Sequence, residues 1–422
     1  MHDFCCKVIL EFRSPSKFEC FEPLATLVEF ARSPDDTDFR FALLKPDPTL
    51  SYPGGLPAVT GSQNKTQYRK GNAMVRLRRA FNFAVVASIV FTGIILSVDA
   101  RSAEFCVNDA AGLSSAIAAA EANGEDDTIQ VVQGIYNDNF NYSSDQGNSI
   151  AVLGGYTPAC TTRVIAAENT ILDGGGSGPV ITFYLENGGN ILLEGVTVRN
   201  GSLEYEGGGV YARSFSESSP AGDITIRSNH IADNHSGTKG GGVFAYSYSS
   251  SSSAGNVTLR DNTITGNSAD ESGGGASAVS QSTPGTGGNV VVANNTFSNN
   301  TSGWGGSGVR AMAHSNTGTA GTVELTGNII TANGATNESS RGAGVQVSSY
   351  SVSGSANAVT ICGNTVAENT SSQDGGGIFA ESTGPVQSGP VVLSDNRIIG
   401  NSASRWYGGL FVQSGTSLGA SG

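Results

Sequence analysis

Short apolar segments recur along residues 104–422, and within each segment apolar and polar residues alternate, as in residues 224–226 and 257–259. This alternation is typical of β-strands with one buried side, because successive side chains of a strand point in opposite directions. Turns rich in Gly, Asn and Ser separate the segments. The repeats show no 3.6-residue period long enough for the paired helices of a helical solenoid. The pattern therefore predicts an all-β fold.

A glycine-rich motif that ends in an apolar residue repeats along this region. The apolar residue recurs at steps of 33, 33, 33, 36, 33 and 32 residues. Its seven copies are Val210, Val243, Ala276, Val309, Val345, Ile378 and Leu410. A unit of this size cannot bury its apolar side chains alone, so the units must stack.

A second motif, Asn-x-apolar-x-x-Asn, runs in phase with the first. Examples are Asn229-His-Ile231-Ala-Asp-Asn234 and Asn262-Thr-Ile264-Thr-Gly-Asn267. If each unit is one turn of a coil, Ile231 lies over Ile264 at the strand spacing of about 4.8 Å. We expect the asparagine amides to bond from turn to turn, and Asn and Gly to supply left-handed backbone at the corners. Each unit is predicted to hold three short β pieces, and the glycines are interpreted as structural.

Residues 109–123 have the pattern of an amphipathic helix. Asn108 or Asp109 can cap its start, and Leu113, Ile117 and Ala120 share one face. A helix laid over the first turn of the coil would shield an open strand edge. We therefore predict a short N-terminal capping helix.

The order of this helix, the following segment Asp127-Thr-Ile…Gly134-Ile-Tyr136 and the repeats resembles right-handed parallel β-helix proteins of the pectate-lyase-like superfamily. The paired motifs also resemble the GGxI and FxxN repeats of polymorphic outer-membrane proteins and related adhesins, and Phe297-Ser-Asn-Asn300 matches the second of these. The resemblance covers roughly residues 104–422 and implies a right-handed parallel β-helix. Such folds serve lyases, hydrolases, adhesins and inert scaffolds, so the resemblance implies no single function.

The chain before residue 104 has a different character. Basic residues within 74–79, an uncharged run over 80–98 and small residues up to Ala100 predict a signal peptide over 74–103, cut after Ala100. Residues 1–73 are then a non-native or disordered extension upstream of the true start. The alternative is a signal anchor, in which the 80–98 segment spans a membrane and residues 1–73 stay in the cytoplasm.

The charge and the residue composition limit the classes of ligand and partner that the protein can bind. The net charge is −13 and the chain holds 4 His and 6 Cys, which excludes a nucleic-acid-binding surface and leaves little material for zinc or haem. Removal of the signal leaves Cys106, Cys160 and Cys362. We predict a disulfide between Cys106 and Cys160 that tethers the cap, as suits an exported protein, and an unpaired Cys362.

No catalytic, cofactor-binding or metal-binding residue is predicted. The resemblance implies carboxylates for Ca²⁺ and an arginine base in lyases, and the motifs Asn-Thr-Asp, Gly-His-Gly and Arg-Ile-Lys in hydrolases; none of these three tripeptides occurs. Arg199 and Arg227 are interpreted as surface residues. A carboxylate ladder could offer oxygens to Ca²⁺ but is interpreted as solvated turns. Its members are Asp233, Asp261, Asp270, Glu271 and Asp395.

Polar inserts follow the first strand of each unit, at 214–222, 247–255, 280–288 and 348–356. Aromatic residues flank them, and they favour either covered, solvated loops or a ridge that contacts carbohydrate. The aromatic residues are Tyr211, Phe215, Phe244, Tyr246, Tyr248 and Tyr350.

These features predict an exported, non-catalytic β-helix protein, secreted or at the cell surface. Its role is adhesion or a carbohydrate-contacting scaffold, and its partner is a polysaccharide or a host or cell-surface glycan. The alternative is a polysaccharide lyase or glycoside hydrolase of the same fold. The last unit breaks off at Gly422, so we expect a truncated C-terminus. Membrane attachment would use the 80–98 segment or a missing C-terminal anchor.

Overall fold

The structure is a computed structural model that describes residues 102–337 and 340–416. This part of the chain forms a parallel β-solenoid of about eight turns, with 35 short strands and one longer helix. Two single-turn 3₁₀ helices cover Pro158–Cys160 and Ala167–Asn169. The predicted extension over 1–73 and the signal segment up to residue 101 lie outside the described residues. Strand β1 begins at Ser102, two residues before the predicted start of the β-helix.

The predicted capping helix is confirmed as α1, Ala110–Asn123. The Asp109 carboxylate accepts a hydrogen bond of 2.7 Å from the amide of Gly112, which satisfies one free donor of the first turn. Gly124 ends the helix in the left-handed conformation at φ 72°. The helix buries Leu113, Ala116, Ile117 and Ala120 against the first turn of the coil.

The strands, numbered β1 to β35 along the chain, build four parallel sheets, which we call faces 1 to 4 in the order that the chain visits them within a repeat. Face 1 holds the strands that follow the glycine motif. They are β4 (Phe140–Ser144), β7 (Ile181–Leu185), β11 (Val210–Ser216), β15 (Val243–Ser249), β19 (Ala276–Ser282), β23 (Val309–Ser315), β27 (Val345–Ser351), β31 (Ile378–Thr383) and β35 (Leu410–Gly415).

Face 2 holds the alternating segments that precede the asparagine motif. Its strands are β1 (Ser102–Val107), β2 (Asp126–Val132), β5 (Ile150–Tyr156), β8 (Ile191–Glu194), β12 (Ile224–Arg227), β16 (Val257–Arg260), β20 (Val290–Ala293), β24 (Val323–Thr326), β28 (Val359–Cys362) and β32 (Val391–Ser394).

Face 3 lies between the two asparagines of each motif. Its strands are β3 (Gly134–Asn137), β6 (Thr170–Asp173), β9 (Thr197–Arg199), β13 (His230–Ala232), β17 (Thr263–Thr265), β21 (Thr296–Ser298), β25 (Ile329–Thr331), β29 (Thr365–Ala367) and β33 (Arg397–Ile399).

Face 4 consists of two-residue strands after the second asparagine. They are β10 (Ser202–Leu203), β14 (His235–Ser236), β18 (Ser268–Ala269), β22 (Thr301–Ser302), β26 (Gly334–Ala335), β30 (Thr370–Ser371) and β34 (Ser402–Ala403). The prediction of three β pieces per repeat was therefore wrong, because a strand of two residues is too short to show an alternation.

The predicted register is confirmed. Val210 pairs with Val243, and Ile231 pairs with Ile264 on the next turn. Ile231, Ile264, Phe297, Ile330 and Val366 continue one inward column, and each is 0% exposed. Each fully buried apolar side chain of this kind contributes roughly 1.5–3 kcal/mol. The right-handedness of the coil remains a prediction, which the general right-handedness of connections between parallel strands supports.

Two buried asparagine ladders join the turns, as the sequence predicted. The Oδ1 atom of Asn262 accepts hydrogen bonds from the backbone N and from Nδ2 of Asn229, at 3.0 and 3.1 Å. Asn229 Nδ2 also donates to the carbonyl of Leu193 at 3.0 Å. The second ladder repeats this geometry from Asn234 to Asn267. Every polar group of these buried amides thus has a partner, which is what burial demands.

The left-handed corners do not use the ladder asparagines themselves. The residue before each ladder asparagine has positive φ, as at Asp261 (φ 56°), Asn299 (φ 55°) and Ala332 (φ 55°). The ladder side chains point into the coil, so the corner bend falls on the preceding residue. The expectation that ladder asparagines supply the left-handed backbone was wrong in this detail.

The polar inserts are shorter than predicted, because their first residues belong to face 1. Ser214 and Ser216 point inward in β11 and are 0% exposed. Ser214 Oγ donates to the carbonyl of Gly189 at 3.0 Å and accepts from the amide of Gly222 at 2.8 Å. Ser247 and Ser280 make the equivalent pairs of bonds one and two turns later. The hydrogen bonds of these hydroxyls therefore stabilise the corner between face 1 and face 2.

We expect Asn300→Ala to lower the free energy of unfolding by about 3 kcal/mol, since it leaves several buried groups without partners. Asn300 Nδ2 donates to Asn333 Oδ1 and to the Ile264 carbonyl, both at 3.0 Å. The matched control is Asn299→Gly, which removes an exposed neighbour at a left-handed position and should leave stability unchanged or slightly higher. Chemical denaturation checks both, and equal effects would contradict the ladder's role.

Candidate functional site

The outward side of face 1 carries a cluster of aromatic residues. In β11 the inward residues Val210, Ala212 and Ser214 are fully buried, so the strand alternation sends the residues between them outward. The same alternation applies in β7 and β15. We call the resulting cluster the aromatic face: Tyr184, Tyr211, Arg213, Phe215, Phe244, Tyr246 and Tyr248.

Turn-to-turn register stacks these rings. The ring centroids of Tyr211 and Phe244 lie 5.5 Å apart, and those of Phe215 and Tyr248 lie 5.6 Å apart. Within β15 the rings of Tyr246 and Tyr248 are 5.6 Å apart and nearly parallel, at 7°. Stacked pairs at this spacing stabilise each other beyond simple burial, so the rings hold one another in place.

Arg213 lies at the centre of the aromatic face. Its guanidinium carbon is 5.2 Å from the ring centre of Tyr184, 5.1 Å from that of Phe215 and 6.0 Å from that of Tyr246. Its Nε is buried without a hydrogen-bond partner. The four ion pairs found among the described residues do not include Arg213. The cation is therefore stabilised mainly by the faces of the surrounding rings.

The tyrosine hydroxyls are fixed at the edge of the aromatic face. Tyr246 Oη donates to Gln281 Oε1 at 3.0 Å, and Tyr248 Oη shares a hydrogen bond of 3.0 Å with Thr283 Oγ1. Burial, reinforced by the neighbouring Tyr248, raises the pKa of Tyr246 to about 12. Tyr246 therefore stays a neutral donor.

Further along face 1 the outward residues become more polar. Arg310 Nη1 donates to Ser277 Oγ at 3.4 Å. His314 and Tyr350 occupy the position of Phe215 three and four turns further along the coil. Their ring centroids lie 5.3 Å apart. Burial, and then the charge of Arg310, lower the pKa of His314 below its ordinary 6.5. Tyr350 is thus separated from the other aromatic residues with which the sequence grouped it.

The carboxylates considered for Ca²⁺ do not converge. Asp233, Asp261 and Asp395 are left-handed corner residues on two different edges of the coil. Glu271, after face 4, has its Oε2 atom 3.4 Å from Lys239 Nζ. Within residues 102–337 and 340–416, no group of three or more His, Cys, Asp or Glu side chains could hold a metal ion.

The two strand-end arginines are ion-paired. Arg199 Nε lies 2.7 Å from Asp173 Oδ2, and Arg227 Nε lies 2.8 Å from Glu194 Oε1. Burial tends to raise the pKa of Asp173, but hydrogen bonds from Asn200, Arg199 and the Gly175 amide outweigh it and lower the pKa. These pairs bind one turn to the next.

The histidines also lie apart. His230 is in β13 on face 3, His235 in β14 on face 4 and His314 in β23 on face 1. His235 Nδ1 lies 2.9 Å from Ser268 Oγ on the following turn. No two of these three histidines share a sheet.

A disulfide joins Cys106 and Cys160, which are 54 residues apart in the sequence. Cys106 lies in β1, the edge strand of face 2, and Cys160 ends the 3₁₀ turn after β5. The bridge therefore tethers the edge strand beside the capping helix. Cys362 is unpaired and half-buried in β28.

Sequence reasoning missed Tyr184 and Arg213. They pair across β7 and β11, but their spacing is 29 residues and falls outside the 33-residue repeat. The signal that could have found them is the alternation inside β11, where Tyr211, Arg213 and Phe215 must share one side.

No family model, curated protein or solved structure matches the chain. The fold therefore defines the class by itself: the described chain is a parallel β-solenoid protein. Across the described ranges, none of the helices has both the length and the apolar character that crossing a membrane requires.

We expect the double variant Cys106→Ser/Cys160→Ser to destabilise the first turns by about 4 kcal/mol or less, the size that loop-closure entropy predicts for this separation. Hydrogen exchange should show faster opening of β1 and α1 and little change beyond β11. Cys362→Ser is the control and should change neither. Uniform acceleration along the coil would contradict a local tether.

We expect the free energy of unfolding to decrease as the pH falls below about 6.5. The folded state holds the pKa of His314 under 6.5, so the unfolded chain binds the proton more readily in mild acid. His314→Gln should flatten this part of the pH dependence, measured by denaturation between pH 8 and about pH 5. An unchanged slope would show that other groups cause it.

Proposed function

We propose that this chain is an exported, non-catalytic β-helix protein whose aromatic face contacts carbohydrate, in adhesion or as a surface scaffold. Under this proposal it belongs with the right-handed pectate-lyase-like β-helices and adhesin-type repeat proteins. It acts outside the cell, secreted or displayed at the surface. The disulfide between Cys106 and Cys160 supports an oxidising compartment.

The observation that carries the proposal is the cluster of ordered rings on one outward surface. Aromatic rings present an apolar surface to the C–H face of a sugar, while hydroxyl groups such as that of Tyr248 can bond the sugar hydroxyls. The half-buried rings of Tyr211, Phe215 and Tyr248 present this surface, and the largely buried Phe244 stacks on Tyr211 and supports it. Binding to fixed rings costs little ordering entropy.

Arg213 adds a preference for glycans with acidic groups. Its guanidinium lies against three rings and takes part in none of the ion pairs of the described chain. A carboxylate or sulfate on a sugar would form the ion pair that this guanidinium lacks within the described chain. The affinity of an acidic glycan should then fall with salt.

The full chain should bind acidic polysaccharides on a glycan array, and Tyr248→Ala should weaken this binding roughly tenfold, the loss expected for an aromatic anchor. The matched control is Tyr205→Ala, which removes a tyrosine that is 67% exposed and lies outside the aromatic face. Arg213→Gln should abolish the preference for acidic over neutral glycans. Calorimetry on purified variants provides the affinities.

Two results would contradict the proposal. Equal losses in Tyr248→Ala and Tyr205→Ala would remove the aromatic face as the contact surface. Release of unsaturated or reducing ends from the bound polysaccharide would instead establish a lyase or hydrolase.

A further inference from the structure

The outward side of face 1 carries a second group of rings, which the proposed function does not use. The rings of Phe379 and Phe411 are stacked across β31 and β35, with centroids 4.8 Å apart and planes 9° apart. The ring of Tyr407, in the turn before β35, meets that of Phe411 edge-on, with centroids 5.2 Å apart. We call Phe379, Tyr407 and Phe411 the distal ring cluster.

The distal ring cluster is built like the aromatic face. Phe379 is only 6% exposed and supports the outer rings, as the largely buried Phe244 does in the aromatic face. Tyr407 is 54% exposed and Phe411 is half-buried, so these two rings present a surface to solvent. The guanidinium carbon of Arg341 lies 5.6 Å from the ring centre of Phe379. In both places a guanidinium thus lies against stacked rings.

Charges of both signs accompany the distal ring cluster. Glu381 lies two residues beyond Phe379 in β31, on the same outward side of the strand. Burial raises the pKa of the Glu381 carboxyl above its usual range, and the positive charge of Arg341 acts in the opposite direction. The distal ring cluster therefore suits stacking on sugar rings more than recognition of charge.

The two groups of rings lie on one line along the coil. The strand register places Tyr211 and Phe244 in the same outward column as Phe379 and Phe411. This pairing continues without a shift across the repeat of 36 residues, where Val309 pairs with Val345. Six turns at the strand spacing of about 4.8 Å separate the first ring of the column from the last, which is roughly 29 Å.

Polar side chains occupy the column between the two groups of rings. They are Ser277, Arg310 and Gln346. The half-buried Arg310 makes only long hydrogen bonds, from Nη1 to Ser277 Oγ at 3.4 Å and from Nη2 to Met312 Sδ at 3.6 Å. It takes part in none of the four ion pairs of the described chain. Hydroxyl, guanidinium and amide groups at regular spacing suit the hydroxyl and acidic groups of a glycan chain.

We propose that the distal ring cluster is a second contact for the glycan of the aromatic face, and that this glycan is a long acidic chain. The inference rests on the proposed function and deepens it. A sugar unit of an extended glycan advances the chain by roughly one turn spacing, so about seven units are needed to reach both groups of rings. Linking two contacts in one ligand makes the second contact intramolecular and raises the affinity. Shorter chains reach only one group of rings.

Size-fractionated oligosaccharides of galacturonan, hyaluronan and heparin test this length dependence on the full chain. For each of them that binds, calorimetry should show the affinity rising roughly tenfold or more between chains of four and ten units. Most of the rise should fall near seven or eight units, where the chain first spans the column. A gradual increase with length, with no step, is what a larger number of equivalent binding positions alone would produce.

Variants then assign the two contacts. Tyr407→Ala should weaken the binding of the ten-unit chain roughly tenfold and leave that of the four-unit chain unchanged, whereas Tyr407→Phe keeps the ring and should retain most of the affinity. Tyr248→Ala should weaken the binding of both chains. The matched control is Ile399→Ala, which removes a side chain that is 44% exposed in β33 on face 3, away from both groups of rings. Denaturation midpoints verify that the variants remain folded.

The outcomes separate this inference from the proposed function. Equal or only gradually rising affinities between four and ten units, or an unchanged affinity of the ten-unit chain in Tyr407→Ala, would overturn the inference and leave the contact at Tyr248 in place. Absence of binding at every length, or binding that Tyr248→Ala does not weaken, would overturn the proposed function and this inference with it.

Discussion

The structure depends on one constraint: each turn must meet the next in register at the strand spacing of about 4.8 Å. The asparagine ladders impose this register, because each amide bonds both the backbone and the amide of the neighbouring turn, as Asn262 does with Asn229. A shift by one residue would break these bonds and also turn every inward apolar side chain outward. Apolar burial drives the turns together, and the buried amides decide how they align.

The same register sets what the surface can carry. Inward positions must stay apolar or hydrogen-bonded, as at Val243 and Ser247, whereas outward positions can differ from turn to turn without disturbing the coil. Face 1 uses this freedom to stack rings such as Tyr211 and Phe244. The turn after β26 makes its repeat three residues longer than 33, and the strand pairing of the faces continues unchanged across it.

The sequence was sufficient for the coil and less informative about its surface. The period and the alternation predicted the stacking of Ile231 on Ile264, because a repeated inward residue leaves a repeated signal. Face 4 escaped prediction because two residues show no period, and the corner residues escaped because Asp, Ala and Gly all occupy left-handed positions there. Arg213 escaped because its partner Tyr184 lies at a 29-residue offset. Surface chemistry arises where units differ, and repeat analysis detects only where they agree.

A rigid coil also bears on the choice between binding and catalysis. Paired acid–base chemistry needs two titratable groups near one reacting bond. The coil fixes each strand on its own face, so groups such as His230, His235 and His314 in the described chain remain on separate sheets. Binding has no such demand: it needs rings and hydrogen-bonding groups repeated at a regular spacing, which stacked turns supply directly. Under the proposed function, an extended glycan would lie along the coil axis against the aromatic face, and Arg213 would favour glycans with acidic groups.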